Sequence, residues 1–363
     1  MNLIRKVFSV KKTILSQAHL LILKVRMHLK SRGGLQSLPL HVLLINSTFG
    51  GISGSGRHVR NLVQALKGKV EYVLWNVNSI GYLDFPKLRS ITFYLNCVRK
   101  SIPKHIDIIH VHNPKFAGLF NKNHINILTI HGDYETELKA EYGTLSKIIT
   151  WYINVHVRKA HAITTVSPHW ATIRKWLWIP NMVNINEIRD IEPANESYML
   201  FVGRDDPIKN YPLFKRIAER AYIKFNIRSL ALGIRGTNKI FLKHNVVSWR
   251  KVISYMKSAF GLIITSRQEG FPTVILEAWA CKCPVIARSI PPIRSLAKIN
   301  PNTMLLYETI GGALRNIQKL KSDNEFKNKI VMNGAKAVEK YDVRIVAKKY
   351  YELYTTLVKK IYG

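Results

Sequence analysis

Glu269-Gly-Phe-Pro-Thr-Val-Ile-Leu-Glu277 runs directly into Ala278-Trp-Ala-Cys-Lys-Cys-Pro-Val-Ile-Ala287. Two carboxylates eight positions apart bracket a Gly-Phe-Pro turn and the opening turns of a helix, and residues 284–287 read as a buried strand. Proline suits the start of a helix, where its missing N–H has no intrahelical partner to lose. The N–H groups left over at such a start, with the positive end of the helix dipole, favour an anionic or hydroxyl-rich ligand. Glu269 then sits at the mouth of that site and Glu277 two turns along the helix. Carboxylates that only accept, set beside backbone donors, suit a nucleotide sugar, with hydroxyls on sugar and ribose and phosphates between. A helix with two solvated glutamates is the plainer reading of this spacing alone. The attached Gly-Phe-Pro and Cys-Pro-Val-Ile-Ala make this instance far more specific.

Working outward, short apolar runs alternate with amphipathic ones. Residues 41–46, 72–77, 106–112, 126–131 and 162–166 read as strands, with helices over 56–66, 85–100 and one long run over 135–159. A second set follows at 199–203, 229–233, 262–266, 284–287 and 304–307, and the tail from 323 to 360 reads as helical. This alternation predicts right-handed βαβ units and doubly wound parallel sheets. With 363 residues the chain is too long for one ordinary core,. The expected fold is α/β: a basic amphipathic segment over 1–34, Rossmann-like domains over 35–185 and 186–340, and a helix over 341–363 packing back on the first domain. Ligand is expected in the cleft between the domains, at the carboxyl ends of the strands.

Charge narrows the partners. With 56 basic and 22 acidic residues the net charge is +34, a field that draws the chain to nucleic acid, acidic lipid head groups or phosphorylated substrates,. Cys97, Cys281 and Cys283 form neither a disulfide framework nor a zinc-site spacing, which fits a reduced, cytoplasmic setting,. Residues 1–32 hold eight basic side chains and no acidic one, with apolar residues near helical spacing. Charges at Lys24 and Arg26 interrupt the apolar run, unlike a signal peptide,. Such a segment is expected to lie peripherally on an anionic membrane surface. Zinc-finger spacing and RNP-type aromatic strands are missing, so nucleic acid is not the expected partner.

Three further motifs carry chemistry. Phe49-Gly-Gly-Ile-Ser-Gly-Ser-Gly56 follows the first strand and opens a helix, where glycines let backbone approach a phosphate,. It does not match Gly-x-Gly-x-x-Gly. Phe201-Val-Gly-Arg-Asp-Asp-Pro-Ile-Lys-Asn210 places Arg204 and Lys209 five apart after a strand, a guanidinium fork and an ammonium able to meet one diphosphate,. Asp205 and Asp206 read as turn residues rather than metal ligands. Ile127-Leu-Thr-Ile-His-Gly-Asp133 sets His131 at a strand end; His58, His110 and His112 read as packing or supporting residues.

Together these segments, over residues 41–290, resemble retaining glycosyltransferases of the GT-B fold, most closely family 4. The resemblance implies two Rossmann-like domains with a donor cleft between them. It implies that Glu269, Gly270, Phe271 and Pro272 hold the donor sugar, that Glu277 binds the ribose, and that Gly50 and Gly51 face donor phosphates and acceptor. Arg204 and Lys209 would neutralise the leaving diphosphate, and His131 would lie by the donor sugar. No metal or other cofactor is implied, since cations do that electrostatic work. The implied partners are a nucleotide-sugar donor, a glycan or lipid-linked acceptor and a membrane surface. The chain departs from the family at Lys282, where a small residue is usual, and at Arg288-Ser-Ile-Pro-Pro-Ile-Arg294, which lacks the usual acidic residue. The rival readings are a sugar-nucleotide epimerase of the same fold and a basic membrane- or nucleic-acid-binding protein without transferase activity.

Overall fold

The computed structural model describes residues 39–51, 53–85 and 88–362, so the expected basic segment over 1–34 lies outside the described residues. Two six-stranded parallel sheets carry the chain. The first comprises β1 (Leu40–Ile45), β2 (Val70–Trp75), β3 (Ile108–Val111), β4 (Ile125–Ile130), β5 (Ala162–Thr165) and β6 (Leu177–Trp178), in the order β2-β1-β3-β4-β5-β6. The second comprises β7 (Met199–Val202), β8 (Ser229–Leu232), β9 (Leu242–Asn245), β10 (Gly261–Ile264), β11 (Val285–Arg288) and β12 (Leu305–Tyr307), in the order β12-β11-β10-β7-β8-β9. The expected pair of Rossmann-like halves is therefore present.

Strand alternation explains the layering. Val42 and Leu44 pack into one core while Leu43 and Ile45 pack into the core on the other face of the same sheet. In the second sheet Leu200 and Leu262 face one core, Met199, Phe201 and Ile263 the other. Side chains of period two buried on both faces are what helix-covered parallel sheets require.

The long helix expected over 135–159 is two helices, Tyr134–Tyr142 and Ser146–Val157, parted by a turn at Gly143–Leu145. Glycine after the last helical residue is a common stop, and the turn lets the second helix pack across the Pro114–Leu119 turn,. The helix expected over 85–100 is shorter, Arg89–Arg99. Strands β6 and β9 had no counterpart in the sequence reading.

The chain passes between the two sheets twice, and the two passages are paired. Val183 N–H donates to the Tyr341 carbonyl (3.0 Å), and Val343 N–H donates to the Val183 carbonyl (3.0 Å). The final helix, Val343–Tyr362, then lies on the first sheet, burying Val346, Ala347, Tyr350 and Tyr354 in the core that contains Val42, Leu44 and Ile127. Among the described residues no helix is long and apolar enough to cross a membrane.

Candidate functional site

A cavity of about 560 Å³ lies where the carboxyl ends of both sheets face each other. Residues after β1, β3 and β4 form one wall and residues after β7, β8, β9 and β10 the other. The strand order reverses beside β1 in the first sheet and beside β7 in the second, so the cavity sits at both switch points, where α/β sheets open a crevice,.

On the second-domain wall, Asp206 caps the short Pro207–Lys209 turn by accepting from Ile208 N–H at 2.8 Å. The turn aims Lys209 at Glu269, with Nζ 2.6 Å from Oε1, and the same oxygen accepts from Ser266 Oγ at 2.6 Å. Arg204 is different. Its guanidinium is two-thirds exposed, with Asp206 3.6 Å away, and its charge also favours the ionised Glu137 carboxylate of the first domain. Both cations line the cavity, but Lys209 is held by the largely covered Glu269 carboxylate while Arg204 stands open to a ligand.

The Gly270-Phe-Pro turn brings the two domains into contact. A Cβ on Gly270 would lie 1.8 Å from the His131 carbonyl oxygen, so only glycine fits against the first domain here. The Phe271 ring packs on Tyr341 at a centroid distance of 5.4 Å, while its carbonyl accepts from Asn181 Nδ2 at 2.6 Å. Pro272 stands one residue before the Thr273–Ala280 helix rather than in its first turn. Glu277, buried on that helix, accepts from Trp249 Nε1 at 3.0 Å and meets Arg57 Nη2 at 3.0 Å.

Arg57 is the residue that the sequence reading passed over. It belongs to the Gly54–Ala65 helix of the first domain, and its Nη2 also donates to Thr273 Oγ1 at 3.1 Å. One guanidinium thus ties the first Gly-rich loop to the Glu269–Glu277 segment. Its position directly behind that loop was the available signal. Gly50 and Gly51, both in the left-handed region at φ +69° and +67°, shape the loop but are absent from the cavity lining, which is made here by Ser47, Thr48, Ser53, Gly54 and Ser55. Gly50 is pinned through its N–H to the carbonyl of Gly56 in the first turn of the Gly54–Ala65 helix, at 2.8 Å.

His131 lines the cavity and belongs to a cluster. Its Nε2 lies 3.1 Å from His112 Nδ1, and the ring centroids of His58 and His131 are 5.1 Å apart. Behind them Tyr350 Oη meets His58 Nε2 at 3.2 Å and Tyr354 Oη meets His110 Nδ1 at 2.7 Å. Burial pushes His131 down to about 4 and His110 to about 3, the latter also repelled by His131. Burial and mutual repulsion hold His58 and His112 well below the usual imidazole range. Asp133 and Glu137 also line the first-domain wall, and burial raises the Glu137 carboxyl against the opposing pull of Lys115.

The histidines predict acid sensitivity. Folded pKa values lie below the unfolded value of 6.5, so stability is complete above that pH. As pH falls below it the unfolded chain takes up protons that the folded chain refuses, until His131 protonates near 4 and His110 near 3,. The two imidazoles together should remove on the order of 5 kcal/mol between about pH 7 and pH 4.5. Urea unfolding across that range checks this, with His131→Asn giving a shallower slope; a flat profile would contradict it.

Comparison with known proteins agrees with this geometry. Residues 184–337 match the family described as Glycosyl transferases group 1. The chain is 26% identical over 341 residues to an uncharacterized glycosyltransferase of Methanocaldococcus jannaschii, covering 83% of this chain and 94% of that one. Among solved structures it is similar to sucrose-phosphate synthase from Thermosynechococcus elongatus (TM-score 0.69, 16% identity, 88% of this chain and 100% of that one). It is likewise similar to Anabaena HepE in complex with UDP (TM-score 0.66, 13% identity, 87% and 100%). The shared architecture is the GT-B fold.

Proposed function

Starting from a glycosyltransferase of the GT-B type, we propose that this chain moves a hexosyl group from a nucleotide sugar to a membrane-located acceptor with retention of configuration. The observation that carries this reading is the grouping of two cations and two carboxylates on one wall of the cavity. Arg204 and the Lys209–Glu269 pair stand together on the second domain, and the buried Glu277 stands on the helix behind them.

In this reading Arg204 and Lys209 meet the diphosphate, and their charge stabilises it as the glycosidic bond breaks. No metal is required. Glu269 faces the sugar as it gains positive character, and Glu277 holds the ribose hydroxyls through the oxygen that Arg57 and Trp249 leave open. The neutral His131, oriented by His112, lies on the sugar's other side. The acceptor attacks from the face the diphosphate leaves, and the leaving phosphate takes its proton. The solved complexes of Anabaena HepE with UDP and with UDP-glucose make uridine nucleotides the first probes to try.

Arg204→Ala should weaken UDP binding about 10- to 150-fold, the value of one charge-assisted contact of ~1.5–3 kcal/mol. Lys209→Ala tests the same role less cleanly, because it also leaves the largely covered Glu269 without its cation,. Calorimetric titration with UDP, after a thermal-shift panel of nucleotide sugars, provides the measurement. Wild-type affinity in both variants would remove the assignment.

A further inference from the structure

We propose that the helices Arg89–Arg99 and Ser146–Val157 form a face that docks on an anionic lipid bilayer. Each helix is apolar on two sides. Phe93, Cys97 and Ile153 point into the core, as expected. The opposite side carries Leu88, Ile91, Leu95 and Val98 on one helix and Leu145, Ile148, Trp151, Tyr152 and Val155 on the other, all exposed. Their steps of three and four draw one outward stripe per helix. Trp151 is 67% exposed and Ile148 66%, and unlike scattered surface hydrophobics they share one stripe with Val155,. The two stripes are neighbours: Tyr94 Oη and Tyr152 Oη hydrogen-bond at 2.7 Å, and both helices pack on the Pro114–Leu119 turn.

Charge selects the occupant. Exposed Arg89, Arg99, Lys100, Lys147, Arg158 and Lys159 rim the face. No aspartate or glutamate occurs from Phe85 to Ile106 or from Tyr142 to Asn186, and the adjacent Asp84 is paired with Arg89. The chain's own residues 1–32 are as cationic as the rim, and a second copy would bring like charges together. A nucleic-acid backbone would match the charge but leave the aliphatic stripe in water. A bilayer with acidic head groups satisfies both, taking the apolar side chains below its surface and the lysines and arginines at it. The face also adjoins the cavity, because Tyr134, which lines the cavity, donates from Oη to Asn154 Oδ1 at 2.8 Å on the Ser146 helix. That would deliver a lipid-borne acceptor to the first-domain wall, a last step that rests on the function proposed above.

The test uses the full chain with vesicles of phosphatidylcholine alone or mixed with phosphatidylglycerol. Leu95→Glu/Ile148→Glu/Trp151→Glu should lower affinity for the mixed vesicles by at least about a hundredfold, since each side chain forfeits its apolar burial. Trp151→Ala, a milder change, should lose part of it. A full chain with glutamine at the eight basic positions of residues 1–32 should still bind. Circular dichroism and UDP titration on every variant keep the fold and the donor site under watch, so a failed donor site is seen apart from a failed membrane face. Wild-type vesicle binding by the triple variant would overturn the proposal. So would a wild-type chain that ignores both vesicles and instead dimerises, or holds duplex RNA, through this face.

Discussion

Gly270→Val should depress sugar transfer by at least about a hundredfold while leaving the fold intact. The reason is spatial, since a Cβ at this position would lie 1.8 Å from the His131 carbonyl oxygen. Real Cβ contacts stay beyond 3.0 Å, so the two walls must part by about 1.2 Å. A misplacement of roughly 1 Å between reacting groups can cost ~10²-fold when catalysis depends on holding two partners in register. The added side chain meets the His131 carbonyl in the contact between the domains rather than a strand of either sheet, so the melting temperature should stay near that of the wild type. Initial rates with the best nucleotide sugar, beside a thermal melt, decide the matter. Normal turnover in Gly270→Val would mean that the domain contact seen here is not the one in which the reaction occurs.

The second large effect separates the two glutamates. Glu269→Ala should lower single-turnover rates by ~10²–10³-fold, the range for losing a group aimed at developing charge. Its effect on UDP binding should be small or favourable, because the substitution frees Lys209 from a 2.6 Å contact and returns its full charge to the diphosphate. Glu277→Ala should weaken UDP and the intact donor alike. Both carry the ribose, and the substitution also takes the carboxylate from Arg57, leaving it Thr273 Oγ1, and from Trp249 Nε1. Calorimetry with UDP and with the donor, plus single-turnover rates, distinguishes the two profiles. Identical profiles would sink the division of labour, and full activity in both would sink the transferase role of the segment.

What the sequence made legible follows from how local each signal is. Strands buried on both faces announce themselves as continuous apolar runs, so β1, β3, β4 and β10 were readable. Leu-Lys-His-Asn of β9 was not, because an edge strand carries polar side chains and its pairing with β8 supplies the information,. The Glu269–Glu277 segment was readable because turn, helix and strand are consecutive. Arg57 was not, since its role exists only once residues 216 positions apart meet at Thr273. The same holds for the histidines. His58 lies 292 positions from Tyr350, and no spacing rule reaches so far.

The return of the final helix to the first sheet has a consequence for how the protein is made. Tyr350 and Tyr354, which cover Val42 and Ile127 and bond one ring nitrogen each of His58 and His110, are translated only after the whole second sheet. Until then the first domain waits with an open apolar groove, and with His58 Nε2 and His110 Nδ1 lacking their tyrosine partners, while the second domain is still being translated. Chains truncated near residue 340 would be trapped in that state, as targets for chaperones and proteases rather than as half-active enzymes. Synthesis of that helix is in effect the quality check on the first domain.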